Sequence, residues 1–216
     1  GSKFIYFSSS YIFAGENTLY SENDTPMPIT MYGSNMASSE FYIQKSCLNY
    51  IIFRCSPIIG RSYHYQDSNW IETLDRLNFL NEKIVCDTKV YTGFIDVWTL
   101  ASVVDEAIEM NITNRLFQLS STDIMNRYEF SKLYLEKIQG NQGLLSKGDW
   151  SFPILDTQAA RQHLGEEHIY RLDVENAQKV FKTPILTIEK NIQKLNEMYS
   201  GALGNSKKKN TGVTFI

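Results

Sequence analysis

Three serines in a row, Ser8-Ser9-Ser10, close an apolar run, and Tyr32 opens a stretch in which Met36 and Glu40 follow at helical spacing. The run Phe4 to Phe7 is β-prone and ends abruptly in hydroxyls, which predicts a buried strand whose C-terminal end opens into a site. Residues 32, 36 and 40 then lie on neighbouring parts of one helix face. A serine hydroxyl can hold a carbonyl oxygen while a phenol passes a proton to it. A phenol with its ordinary pKa of about 10 exchanges slowly at neutral pH, and a cation one turn away would lower that value. The residue one turn on is Met36, whose thioether carries no charge and donates no hydrogen bond.

The elements that must position these groups alternate. Residues Gly15 to Pro28 are polar and rich in breakers, which predicts a loop. A helix is expected over Pro28 to Ser46 and a second strand over Tyr50 to Arg54. The loop Arg61 to Asn69 leads to a helix from Trp70 to Leu80, followed by brief β runs at Lys83 to Cys86 and Val90 to Ile95. Asp96 reads as the N-cap of a helix Val97 to Met110. Arg115 to Leu119 is the next strand, and a helix runs around Tyr128 to Ile138. Residues Gly140 to Asp156 show no firm periodicity and predict loop with one short strand. Amphipathic helices are expected over Asp173 to Phe181 and Leu186 to Tyr199, both in a small substrate-side lobe, and a flexible basic tail over 201–216. Strand and helix in alternation predict an α/β fold with a largely parallel sheet.

The Ser-Ser-Ser-Tyr-Ile-Phe stretch followed by Tyr32-Gly33-x-x-Met36 resembles the middle of an extended short-chain dehydrogenase/reductase, closest to the dTDP-4-dehydrorhamnose reductases, whose pattern is S-T-D-Y-V-F-D-G and then Y-G-x-x-K. Arg54-Cys55-Ser56-Pro57, Phe94-Ile95-Asp96-Val97, Arg127-Tyr128-Glu129-Phe130 and Arg171-Leu172-Asp173 continue the likeness in order, over residues 1–200. The resemblance implies a partial Rossmann-like, doubly wound parallel sheet, with the substrate lobe interleaved. Carried over position by position, it implies Ser9 as the substrate-holding hydroxyl, Tyr32 as the acid, and Met36 at the place of the lysine. It places Ser8, Arg54 and Ser56 towards an NADP or NAD cofactor, and Ser10, Trp70 and Arg171 towards a nucleotide-sugar substrate. Ser10 stands where these reductases have aspartate.

Dinucleotide binding needs a glycine-rich turn between a strand and a helix. No G-x-G-x-x-G or G-x-x-G-x-x-G follows any strand. The expected chain is therefore either a fragment lacking the N-terminal glycine-rich half or a protein that has lost cofactor binding; a central parallel strand left as an edge favours the fragment. Two functions from different classes follow from the resemblance. One is an NAD(P)-dependent reductase or epimerase of nucleotide-sugar metabolism, inactive as it stands. The other is a non-catalytic regulatory relative, similar to the methionine adenosyltransferase beta subunit.

Composition narrows the partners. A net charge of −3 and 43% hydrophobic residues suit a globular domain and imply no nucleic-acid partner. No segment is apolar enough to predict a membrane span, and no secretory leader is expected. Cys47, Cys55 and Cys86 are set in apolar runs and read as reduced thiols of a cytoplasmic protein. His64, His163 and His168 share no ligand spacing, so no metal is expected. A homodimer or a partner protein remains open.

Overall fold

The computed structural model describes residues 2–16, 18–61, 69–148 and 166–206, with side chains as far as Tyr199. His64, His163, part of the 140–156 stretch and the tail beyond Ser206 lie outside the described residues. Three parallel strands form the main sheet, in the order β1 (Phe4–Ser9), β3 (Tyr50–Cys55), β8 (Arg115–Leu119). The register runs straight across their ends, Ser9 opposite Cys55 and Cys55 opposite Leu119. A small parallel sheet holds β2 (Thr18–Tyr20), β10 (His168–Leu172) and β6 (Val90–Thr92). Two-stranded parallel pairs join β4 (Ile58–Ile59) to β7 (Ile95–Asp96) and β5 (Ile84–Cys86) to β9 (Leu145–Lys147).

Side-chain alternation along β3 splits the sheet into two faces. Ile51, Phe53 and Cys55 meet Phe117 and Leu119 on one face, closed by Leu100, Val103 and Ala107 of helix α3 (Val97–Glu109). Tyr6 and Arg54 point the other way and contact helix α1 (Met31–Ser46). The second core lies in the lobe, where α2 (Trp70–Phe79), α4 (Arg127–Lys137) and α6 (Ile188–Ser206) surround Ile84 and Cys86. Helix α5 (Glu175–Val180) differs from expectation: Ala177 and the following Phe181 pack on Phe117, so α5 belongs to the main sheet and α6 alone enters the lobe.

Capping sets most helix starts. Asp96 accepts from the Thr99 amide as predicted, while Asn69 with Glu72 and Asn126 with Glu129 form capping boxes. The Val90 to Ile95 run is split between two sheets, β6 pairing with β10 and β7 with β4, and Gly93 between them lies against Ser120 and Ser121 with no room for a Cβ. Strands β2 and β10 were not expected: each is short, and neither alternates cleanly enough to stand out from its polar surroundings.

Strand β1 pairs only with β3 among the described strands, and Phe4 and Phe7 are 49% and 45% exposed. It is therefore an open edge, although its composition is that of an interior strand. Helix α1 is held to the sheet by a buried ion pair: Arg54 Nη2 lies 2.8 Å from Glu40 Oε2 and Nε lies 3.1 Å from Oε1. The remaining guanidinium nitrogen donates to the Glu22 carbonyl at 3.2 Å, and Phe13 stacks beneath. Removing one partner strands a buried charge at a cost of about 3–5 kcal/mol. Glu40→Ala or Arg54→Ala is expected to destabilise by that amount in urea unfolding, and Glu40→Leu with Arg54→Met to recover most of it. Equal losses in the single and double variants would contradict this account.

Burial pushes the phenols of Tyr11, Tyr134 and Tyr170 above their ordinary pKa, with the Asp75 carboxylate adding to the effect at Tyr134. In the unfolded chain they ionise at about pH 10. Their folded values are raised, so the stability they contribute is complete below about pH 10 and is lost as pH rises through the folded values. Circular dichroism against pH is expected to show alkaline unfolding that begins at about pH 10; a stability that stays flat beyond about pH 12 would contradict it.

Candidate functional site

The C-terminal end of β1 turns at once into a short 3-10 segment, Ser10–Ile12, and this turn aims the Ser9 side chain. The Ser9 oxygen accepts the Tyr11 amide at 3.2 Å, and its hydroxyl lies near enough to the Tyr32 phenol to act on it. Tyr32 sits in the first turn of α1, whose N-cap Thr30 accepts from the Gly33 amide at 3.0 Å. Gly33 is what allows the close seat. A Cβ there would stand 2.0 Å from the Tyr11 carbonyl oxygen, so any side chain would lift the helix off the strand end. The fold thus brings the Ser9 and Tyr32 side chains near one another at this strand end.

Electrostatics at Tyr32 are those of a neutral site. Burial raises the phenol pKa, the Ser9 hydroxyl pulls it down, and the nearby Tyr6 phenol and Cys55 thiol push it up again. Met36 supplies no cation. Its sulfur accepts the Tyr6 hydroxyl at 3.1 Å, and its side chain packs beside the Ile12, Phe13, Tyr20 and Leu172 cluster. Tyr11 meets Tyr32 edge-on at 6.4 Å and Tyr170 at 4.8 Å. On the lobe side, Arg127 lies 4.8 Å above the Trp70 ring, close enough for its charge to act on Tyr11.

The other candidates scatter. Ser10 follows Ser9 in the turn but is fully buried, and its hydroxyl and that of Ser8 have no hydrogen-bond partner among the described residues. Ser56 donates to Ser120 at 2.6 Å, tying the ends of β3 and β8. Arg54 is turned to α1 and committed to Glu40, where it braces the helix. Trp70 opens α2 and borders the strand end through Arg127, whereas Arg171 is exposed on β10, with no described contact to Ser9 or Tyr32. Tyr6, Tyr11 and Arg127 were not singled out as site residues; only the strand alternation, which sends Tyr6 to the face that carries α1, could have pointed to one of them.

A groove of about 890 Å³ lies elsewhere, lined by Glu22, Phe41, Tyr50, Arg115 and Lys179 among others, and none of Ser9, Tyr32 and Met36 lines it. No cluster of three His, Cys, Asp or Glu among the described residues could hold a metal. For a dinucleotide the fit is one-sided. The Ser9 and Tyr32 hydroxyls suit a carbonyl or ribose oxygen, but a pyrophosphate needs open amides at a helix N-terminus. The starts of α2, α3 and α4 carry Glu72, Asp96 and Glu129, and those of α5 and α6 are bonded by Asp173 and Asp123. These carboxylates repel a pyrophosphate, and no glycine-rich turn leads into α1, so the described residues do not fit the diphosphate half of the cofactor.

Removing the Ser9 hydroxyl removes the neighbour that favours the Tyr32 phenolate. Ser9→Ala is expected to raise the Tyr32 titration further, read by ¹³C NMR of labelled tyrosine. An unchanged or lowered Tyr32 titration would show that the two hydroxyls do not interact.

Comparison with known proteins bears on the family and the fold. Methionine adenosyltransferase 2 subunit beta from Danio rerio is 26% identical over 135 residues, 61% of this chain and 42% of that protein. A dTDP-4-dehydrorhamnose reductase from Sinorhizobium fredii is likewise 26% identical over 135 residues, covering the same shares. The matched stretch spans about two fifths of the length of these curated relatives. The crystal structure of dTDP-4-dehydrorhamnose reductase from Bacillus anthracis in complex with NADP superposes with a TM-score of 0.75 at 18% identity, over 91% of this chain and 66% of that one. That likeness shows a shared Rossmann-like fold. A family model, the RmlD substrate binding domain, matches residues 1–200, and the chain belongs to that family.

Proposed function

We propose that this chain is the strand-end and substrate-lobe part of a nucleotide-sugar reductase or epimerase-like protein, in which Ser9 and Tyr32 receive the sugar carbonyl of a dTDP-4-dehydrorhamnose-type substrate. The observation that carries the reading is the Ser9 and Tyr32 pair at the end of β1, in a member of the RmlD family. Met36 makes the site silent, because Tyr32 has no cation to ease its ionisation and nothing donates to a ribose hydroxyl from that position. The open edge of β1 supports a companion proposal: further strands and a glycine-rich turn complete the sheet there and supply the cradle for an NADP or NAD pyrophosphate.

A second reading is favoured by the match to methionine adenosyltransferase 2 subunit beta, whose name is that of a subunit and not of an enzyme. Under it the chain serves a partner protein, and the neutral site is a binding pocket. Co-elution with a methionine adenosyltransferase catalytic subunit would favour this reading over the first.

Fluorescence titration of NADPH and NADH tests the main proposal. The chain alone is expected to show no saturable micromolar binding, and Met36→Lys alone not to restore it. A chimera adding the unmatched third of the Bacillus anthracis reductase, which the resemblance places before the serine strand, is expected to bind NADPH. In that chimera Met36→Lys should raise turnover of a 4-keto nucleotide sugar by about 10²–10⁴. Micromolar binding by the chain alone, or equal turnover with Met and Lys at position 36, would overturn the proposal.

A further inference from the structure

We propose that Tyr6 is a positioning residue of the strand-end site: its hydroxyl, bonded to the Met36 sulfur, holds the side chain at position 36 against β1 and would take a cation placed there before Tyr32 could. The proposal rests on the reading of Ser9 and Tyr32 as the site. It goes beyond that reading in stating that a cation at position 36 is shared with Tyr6, so that changing residue 36 by itself gives Tyr32 only part of the effect.

Three observations support it. Tyr6 lies two residues before Ser8 on the face of β1 that α1 covers, so its ring rises beside the first turns of the helix. Its hydroxyl donates to Met36 Sδ at 3.1 Å, a contact 30 residues apart in sequence that fixes a flexible side chain at its tip. Met36 also packs beside the cluster of Ile12, Phe13 and Tyr20, so a lysine at this position would follow the same path. A lysine stem is close to a methionine in length, and its ammonium would arrive at the Tyr6 oxygen. The groups facing Tyr32 are Ser9, the Tyr6 phenol, the Cys55 thiol and the Tyr11 ring, with no charged side chain among those described. Any cation brought to position 36 is therefore shared between two phenols, and Tyr6 is the one in direct contact.

The test is a pH titration of ¹³Cζ-labelled tyrosine on the chain alone, without nucleotide, so it fails or holds separately from cofactor binding. In Met36→Lys the Tyr6 resonance is expected to titrate lower by about one pH unit or more, and Tyr32 by clearly less. In Met36→Lys with Tyr6→Phe the full shift should pass to Tyr32. A Tyr32 shift in the single variant that equals or exceeds that of Tyr6, or that Tyr6→Phe leaves unchanged, overturns the proposal. Should the lysine variant not fold, Met36→Leu keeps the shape and removes the acceptor. It is then expected to move the Tyr6 resonance and leave that of Tyr32 in place, and the reverse pattern would sink the inference equally.

Discussion

The buried pair of Arg54 and Glu40 is the constraint on which the site depends. It joins the middle strand of the main sheet to the middle of α1, and both partners are almost wholly removed from water. Two buried charges are costly to desolvate, and a pair of this kind is a weak source of net stability. What it does fix is the rotation and height of the helix. With Glu40 pinned, Met36 one turn earlier falls beside Tyr6 and Tyr32 two turns earlier falls over the end of β1. Gly33 then sets how near the helix can come, because the Tyr11 carbonyl occupies the space of a side chain. The placement of the phenol thus follows from one ion pair and one missing Cβ.

Much of this was legible in the residues. The apolar run with its serine end announced β1, and the spacing of 32, 36 and 40 announced the helix face; Arg115–Leu119 and the Asp96 cap were read to the residue. The contacts of Arg54, which the resemblance places towards a cofactor, were not legible. Its partner lies 14 residues back, and neither pattern nor spacing reveals a bidentate pair across sheet and helix. Strands β2 and β10 were illegible for a similar reason: each exists because it pairs with strands far away in the chain. The amphipathic pattern around Glu175–Val180 does not say which core the helix joins, and its destination is decided by Phe181 meeting Phe117.

The site that results is built from neutral groups. Hydroxyls from a strand end, phenols from strand and helix, and a thioether line it, while the Arg127 guanidinium is engaged with the Trp70 ring and that of Arg54 with Glu40. Hydrogen-bonding groups of this kind can orient a sugar hydroxyl or a carbonyl as well as charged ones do. Proton transfer is another matter, because it depends on how cheaply the phenolate forms. Here burial opposes ionisation and a single serine hydroxyl favours it, so recognition and reactivity come apart at the same few atoms.

That separation bears on the open edge of β1. Phe4 and Phe7 present aromatic surface on opposite faces of a strand whose outer backbone groups have no described strand partner. An interior-type strand left unpaired favours association with any available edge. The open edge and the neutral phenols therefore lie on different sides. Completing the edge adds backbone pairing and covers the phenylalanines, and it leaves the neutral contact between Tyr6 and Met36 untouched because that contact faces α1. A gain of nucleotide binding on completion would follow from the edge, whereas a gain of proton transfer would have to come from position 36 and the phenol that holds it.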